Sequence, residues 1–137
     1  MERRAFIKRS GIAGLSCIGL ASFIEGCRSL YEAPNMVVGN KILVKKTDLE
    51  KNKYVVLRNE KLQTPICLFK LSDNAYSAVL MLCTHKGCEL KVAGNALLCP
   101  CHGSEFSETG KVQNPPADTD LPTFRVTTDN ENIYIQL

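Results

Sequence analysis

Beyond residue 40 the apolar positions fall into short runs. Residues 42–44, 54–58, 66–71 and 75–82 are rich in β-branched and aromatic side chains and are separated by Thr47-Asp48, Asn59-Glu60 and Ser72-Asp73-Asn74. Such runs between turn formers predict strands, with 66–71 and 75–82 forming a hairpin. At the far end, residues 123–128 and 133–137 flank Asp129-Asn130-Glu131-Asn132. There Ile133, Ile135 and Leu137 alternate with Tyr134 and Gln136, so one face of that strand can be buried and the other wet. Residues 90–92 and 96–98 pair across Ala93-Gly94-Asn95 as a further hairpin. No segment after residue 40 has helical periodicity and there are no internal repeats, so the expected fold is all-β and antiparallel.

The first 26 residues follow another pattern. Arg3-Arg4-Ala5-Phe6-Ile7-Lys8 precedes an apolar, glycine-containing run over 11–24 and resembles a twin-arginine export signal. The run is apolar all round, which argues against an amphipathic helix. As a helix it would reach about 21 Å against a hydrocarbon core of about 30 Å, so it is marginal as a spanning anchor. Ile24-Glu25-Gly26-Cys27 offers another anchor, since it resembles a lipobox with an unusual Glu25 and marks Cys27 for lipidation; cleavage to a soluble protein and an uncleaved helix are the alternatives. Cys17, within the run, reads as a small hydrophobe. Residues 27–40, polar and mixed with Pro34 and Gly39, read as a tether with a reach of about 20 Å. Residues 41–137 form the domain.

Composition narrows the picture little. A chain of 137 residues with 45% apolar content implies one globular domain, and a net charge of +3 is ordinary. Basic residues are scattered after Arg9 without aromatic interleaving, so no nucleic-acid partner is expected.

The chemistry is concentrated between residues 83 and 106. Two boxes, Cys83-Thr84-His85-Lys86-Gly87-Cys88 and Cys99-Pro100-Cys101-His102-Gly103-Ser104-Glu105-Phe106, hold both histidines and four of the seven cysteines. Cys83 and His85 form a C-x-H pair, and Cys99 and His102 a C-x-x-H pair. Two thiolates and two imidazoles suit tetrahedral zinc, and equally an iron-sulfur centre in which two histidines replace cysteines on one iron. Cys88 and Cys101 are an extra pair for which a zinc ribbon has no need.

Over residues 41–137 the chain resembles the Rieske iron-sulfur proteins, in particular the disulfide-containing branch found in quinol:cytochrome c oxidoreductases and their relatives. That resemblance implies an antiparallel Rieske-type β-sandwich with an inserted cluster-binding subdomain and one 2Fe-2S cluster per subunit. By position, Cys83 and Cys99 would ligate the inner iron, His85 and His102 the outer iron, and Cys88 and Cys101 would form a disulfide. Rieske ferredoxins of oxygenases generally lack that pair. Ser104 matches a serine that hydrogen-bonds a cluster sulfur in high-potential members, whereas Phe106 stands where those members carry tyrosine, so an intermediate potential is expected. Asn114-Pro115-Pro116-Ala117 resembles the proline loop that covers the cluster, without its leading glycine.

The resemblance also implies a function. Two ferric ions, two sulfides and two thiolates sum to zero with neutral imidazoles, which eases reduction into the range of about −150 to +300 mV. The expectation is one-electron transfer at the outer face of the cytoplasmic membrane, as iron-sulfur component of a quinol-oxidising complex with a cytochrome c-like acceptor. Such a protein acts as a subunit of an oxidoreductase. The alternative is an accessory periplasmic electron carrier, which Lys86 favours because quinol-oxidising members carry an apolar residue there. A structural zinc module is the third reading. Both histidines are spent on the cluster, leaving none for the mononuclear iron of an oxygenase. Twin-arginine export carries folded cargo, and a disulfide then forms in the oxidising compartment. Cys67, in the apolar run 66–69, is expected to be an unpaired core thiol.

Overall fold

A computed structural model describes residues 31–137. The signal segment, Cys17 and Cys27 lie outside the described residues. Among the described residues no helix is long and apolar enough to cross a membrane.

Among the described residues twelve strands form three four-stranded antiparallel sheets. The outer sheet contains β1 (Met36–Val38), β2 (Lys41–Lys45), β12 (Asn132–Gln136) and β11 (Val126–Thr128), in that order. The central sheet contains β10 (Thr123–Phe124), β5 (Ala75–Leu80), β4 (Ile66–Ser72) and β3 (Tyr54–Leu57). The third sheet is a meander of β6 (Lys91–Ala93), β7 (Ala96–Leu98), β8 (Glu105–Ser107) and β9 (Val112–Asn114).

The central sheet is buried on both faces, which explains its unbroken apolar runs. Val55, Leu57, Ile66, Leu68 and Ala78 pack with Ile42, Val44, Ile133 and Ile135 of the outer sheet. Their neighbours along the strands, Val56, Cys67, Phe69 and Val79, point the other way and pack with Cys83, Leu97, Cys99 and Phe106. β12 has one apolar face only, and its alternation of Ile133 and Ile135 with Tyr134 is the one expected from the sequence. Cys67 is free and fully buried, and burial pushes its thiol up.

Several boundaries differ from expectation. The run 123–128 is interrupted at Arg125, with β10 joining the central sheet and β11 the outer one. The turn after β2 is a short 3-10 segment, Lys46–Leu49, anchored by buried Leu49. Most consequentially, the tether expected over 27–40 is packed against the domain from residue 31 on. Ala33 is buried, Glu32 bridges Val56, and the Asn35 amide donates to the carbonyls of Ala33 (3.2 Å) and Arg58 (3.1 Å). Arg58 in turn pairs with Glu32 at 2.9 Å and with Glu89 beside the first box. These ion pairs are exposed, so burial of Ala33 and pairing of β1 with β2 hold this segment more than charge does.

Gly110 turns the chain between β8 and β9 at φ +80°, and a Cβ there would lie 3.2 Å from Val79 and 3.3 Å from Leu121. Gly110→Ala is expected to destabilise the domain by at least about 1–2 kcal/mol, the cost of left-handed backbone for a residue with a Cβ, as read by denaturant unfolding. Unchanged stability would contradict this packing.

Candidate metal centre

The two boxes fold alike. In the first, the Cys83 N–H donates to the Cys88 carbonyl (2.8 Å) and the Gly87 N–H to the Cys83 carbonyl (2.8 Å). In the second, the Cys99 N–H donates to the Ser104 carbonyl (2.8 Å) and the Gly103 N–H to the Cys99 carbonyl (3.0 Å). Each loop therefore closes on its leading cysteine with the same spacing. Gly87 and Gly103, at φ +73° and +81°, supply the left-handed turn that this closure requires.

Strand pairing sets the loops side by side. The first leaves β5 through a bridge between Leu82 and Glu89, and β6 and β7 return the chain so that the second follows directly. A Cys88–Cys101 disulfide then joins them, with a Cα separation of 6.5 Å. The sulfurs of Cys88, Cys99 and Cys101 lie within 4.8 Å of one another. Two of these are bonded together and are not thiolates, so this grouping records a disulfide seated against Cys99. The remaining thiols of the two boxes, Cys83 and Cys99, are both buried.

Burial and hydrogen bonding compete at Cys83. Burial alone raises its thiol, but the His85 N–H, the Cys99 side chain, the Lys86 N–H and the Ser104 hydroxyl together hold it below the ordinary cysteine value. Thiolate is the form a metal needs. The two imidazoles stand in front, with ring centroids 5.0 Å apart and planes at 85°. His102 is exposed, His85 half-buried, and His85 Nδ1 is buried without a hydrogen-bond partner. A buried nitrogen left unpaired beside two buried thiols fits a metal ligand better than a structural histidine.

The other expected positions fall around this centre. Ser104 is fully buried; its hydroxyl accepts the Ala117 N–H at 2.9 Å while donating towards Cys83. Phe106 is also fully buried, in β8, and brings no hydroxyl to the site. Lys86 is exposed at the tip of the first box. Asn114, Pro115 and Pro116 run exposed past the boxes with a cis Pro115-Pro116 bond, and Ala117 is buried beneath them. One contact was not foreseen: Thr84 Oγ1 donates to the Thr119 carbonyl at 2.6 Å. The proline segment is thus fastened to both boxes, by Ser104 on one side and Thr84 on the other. A hydroxyl between two ligand-type residues is a weak signal for this in the sequence.

A family model, the Rieske [2Fe-2S] domain, matches residues 40–125. The chain belongs to the Rieske [2Fe-2S] domain family. Among curated relatives, the cytochrome b6-f complex iron-sulfur subunit of Synechococcus sp. (strain WH7803) is 39% identical over 75 residues, covering 52% of this chain and 42% of that protein. The corresponding subunit of Desmonostoc sp. (strain PCC 7906) is 34% identical over 84 residues, covering 60% and 41%. The chain thus spans less than half the length of these relatives. Among solved structures, the cyanobacterial plasma membrane Rieske protein PetC3 from Synechocystis PCC 6803 superposes with a TM-score of 0.60 at 32% identity, covering 68% of this chain and 95% of that one. The ferredoxin of carbazole 1,9a-dioxygenase from Nocardioides aromaticivorans IC177 gives 0.53 at 17% identity, over 69% and 93%, a likeness of fold alone.

A Rieske domain binds a 2Fe-2S cluster, and the residues here fit one: two buried thiols, an orphaned imidazole nitrogen and a second imidazole edge-on to the first. Ser104→Ala removes a hydroxyl that both holds Ala117 and reaches Cys83. It is expected to lower the midpoint potential and, by leaving the Ala117 N–H unpaired, to cost about 1–3 kcal/mol in unfolding. An unchanged potential in a redox titration would remove the role assigned to this hydroxyl.

Proposed function

We propose that Cys83 and Cys99 hold the inner iron and His85 and His102 the outer iron of a cluster that passes single electrons, as the iron-sulfur component of a quinol-oxidising complex. The observation that carries this is the arrangement of two buried thiols behind two surface imidazoles, one of them exposed. When bound, the cluster supplies the one-electron redox couple. The chain's own residues do the rest: the thiols shield it from water, the His85 and Lys86 N–H groups and the Ser104 hydroxyl neutralise charge on the Cys83 sulfur, and His102 offers a partner an edge. Imidazole nitrogens not used for the metal can release protons, so electron uptake is coupled to proton uptake.

The relatives named as cytochrome b6-f subunits support a quinol-oxidising setting for this chain, with a cytochrome c-like protein as acceptor. The same proposal has the chain exported folded by the twin-arginine route and held at the outer face of the membrane by lipidated Cys27. The structure named as a plasma membrane Rieske protein supports a membrane setting. Exposed Lys86 favours a second reading, an accessory carrier docking on an acidic partner, because a charged side chain at the tip disfavours entry into an apolar quinone pocket.

EPR-monitored redox titrations at several pH values separate these. The quinol-oxidising proposal expects a high midpoint that falls as pH rises. A low midpoint without pH dependence would favour the accessory carrier, and a protein purified anaerobically with zinc and no reducible cluster would overturn both.

A further inference from the structure

The amino-terminal strap and the first box meet at one side chain. Arg58 directly follows β3, and Glu89 directly follows Cys88 and bridges Leu82, which precedes Cys83, so Glu89 lies where the two stems of the first box come together. Arg58 Nη1 donates to Glu89 Oε2 at 3.4 Å and Nη2 donates to Oε1, a two-pronged contact, while Nε donates to Glu32 Oε1 at 2.9 Å. The backbone of Arg58 is held as well: the Asn35 amide donates to its carbonyl, and the Asn59 amide donates to Asn35 Oδ1 at 3.3 Å. Arg58 and Glu89 line an open groove of about 420 Å³, with Leu62, Gln63 and Pro65 on the wall formed by the β3–β4 connection. Among the described residues no other side-chain hydrogen bond joins that connection to the first box.

Exposed ion pairs are ordinarily worth little, but a fork on a carboxylate costs less freedom when the arginine is already fixed. Here the fixing comes from the strap, which stands on burial of Ala33 and pairing of β1 with β2 and so does not depend on Arg58. We propose that Arg58 is a positioning residue for the metal centre: held by the strap at Glu32 and Asn35, it holds Glu89 and with it the base of the first box. The inference rests on the first box being a ligand loop, as in the proposed function. It gives residues 31–35, which read as tether in the sequence, a part in ordering Cys83 and His85. It has an electrostatic side too. Glu32 and Glu89 share one guanidinium, and removing it leaves two carboxylates uncompensated beside the box, which opposes uptake of an electron.

Hydrogen exchange of the full-length holoprotein, read by mass spectrometry, follows each box separately. The first is reported by the Cys83 N–H bonded to the Cys88 carbonyl, the second by the Cys99 N–H bonded to the Ser104 carbonyl. Arg58→Gln is expected to speed exchange across the first box about two- to fivefold, the range for an exposed pair, with the second box and β4 unchanged. Glu89→Gln, which leaves Arg58 and the strap in place, is expected to do the same. Arg58→Lys keeps the charge and lacks the fork: the midpoint potential, which falls in Arg58→Gln, is restored, whereas fast exchange at the first box persists. Exchange that is unchanged in the first box of Arg58→Gln and Glu89→Gln, or raised alike in both boxes and β4, overturns the positioning role. A midpoint that is the same in Arg58→Gln and the unaltered protein overturns it as well. Protein that carries zinc and no cluster overturns the proposed function instead, and exchange at the first box of that zinc protein still decides the role of Arg58.

Discussion

Two thiols must be kept from water while the imidazoles next to them in sequence stay within reach of it. That constraint shapes the domain from the central sheet outward. Val56, Cys67, Phe69 and Val79 form an apolar floor, and Cys83, Cys99, Leu97 and Phe106 pack on it. The floor is firm because its other face is buried as well, against Ile42, Val44, Ile133 and Ile135. Three layers in 107 described residues follow from this need more than from a general tendency of strands to stack.

The disulfide makes the two loops one object. Each loop closes on its own cysteine through paired backbone bonds, but nothing in those bonds fixes one loop relative to the other. Cys88–Cys101 does, across 13 residues of sequence, a closure that restricts the unfolded chain by roughly 3 kcal/mol. Ser104 and Thr84 then fasten the proline segment over the pair. The result is a preorganised group of ligand-type side chains in which His85 Nδ1 is left without a protein partner. A disulfide of this kind also fits an oxidising compartment.

The ligand-type residues were legible because they are local. C-x-H and C-x-x-H spacing is a property of single loops, and Gly87 and Gly103 mark the turns that close them. Contacts between distant segments were not: neither Ser104 with Ala117 nor Thr84 with Thr119 leaves a periodic trace. Strand periodicity succeeded where one face is dry, as in β12, and where both are, as in β3 and β4. It failed for β8 and β9, three residues each with a single large apolar side chain, because so short a run has no period to detect. β1 was hidden differently. Pro34 and Gly39 make residues 27–40 look like linker, and only pairing with β2 and burial of Ala33 reveal a folded edge. The break at Arg125 escaped because a strand that passes from one sheet to another keeps its alternation.

The central claim is that two imidazoles, behind which two thiols are buried, bind one iron. The chain has two histidines, so isotopic labelling of histidine nitrogen marks those two alone. Hyperfine spectroscopy of the reduced full-length protein should show two strongly coupled nitrogens that both change on labelling. A cluster with no histidine nitrogen coupled, or with one, would contradict the ligand set of Cys83, His85, Cys99 and His102.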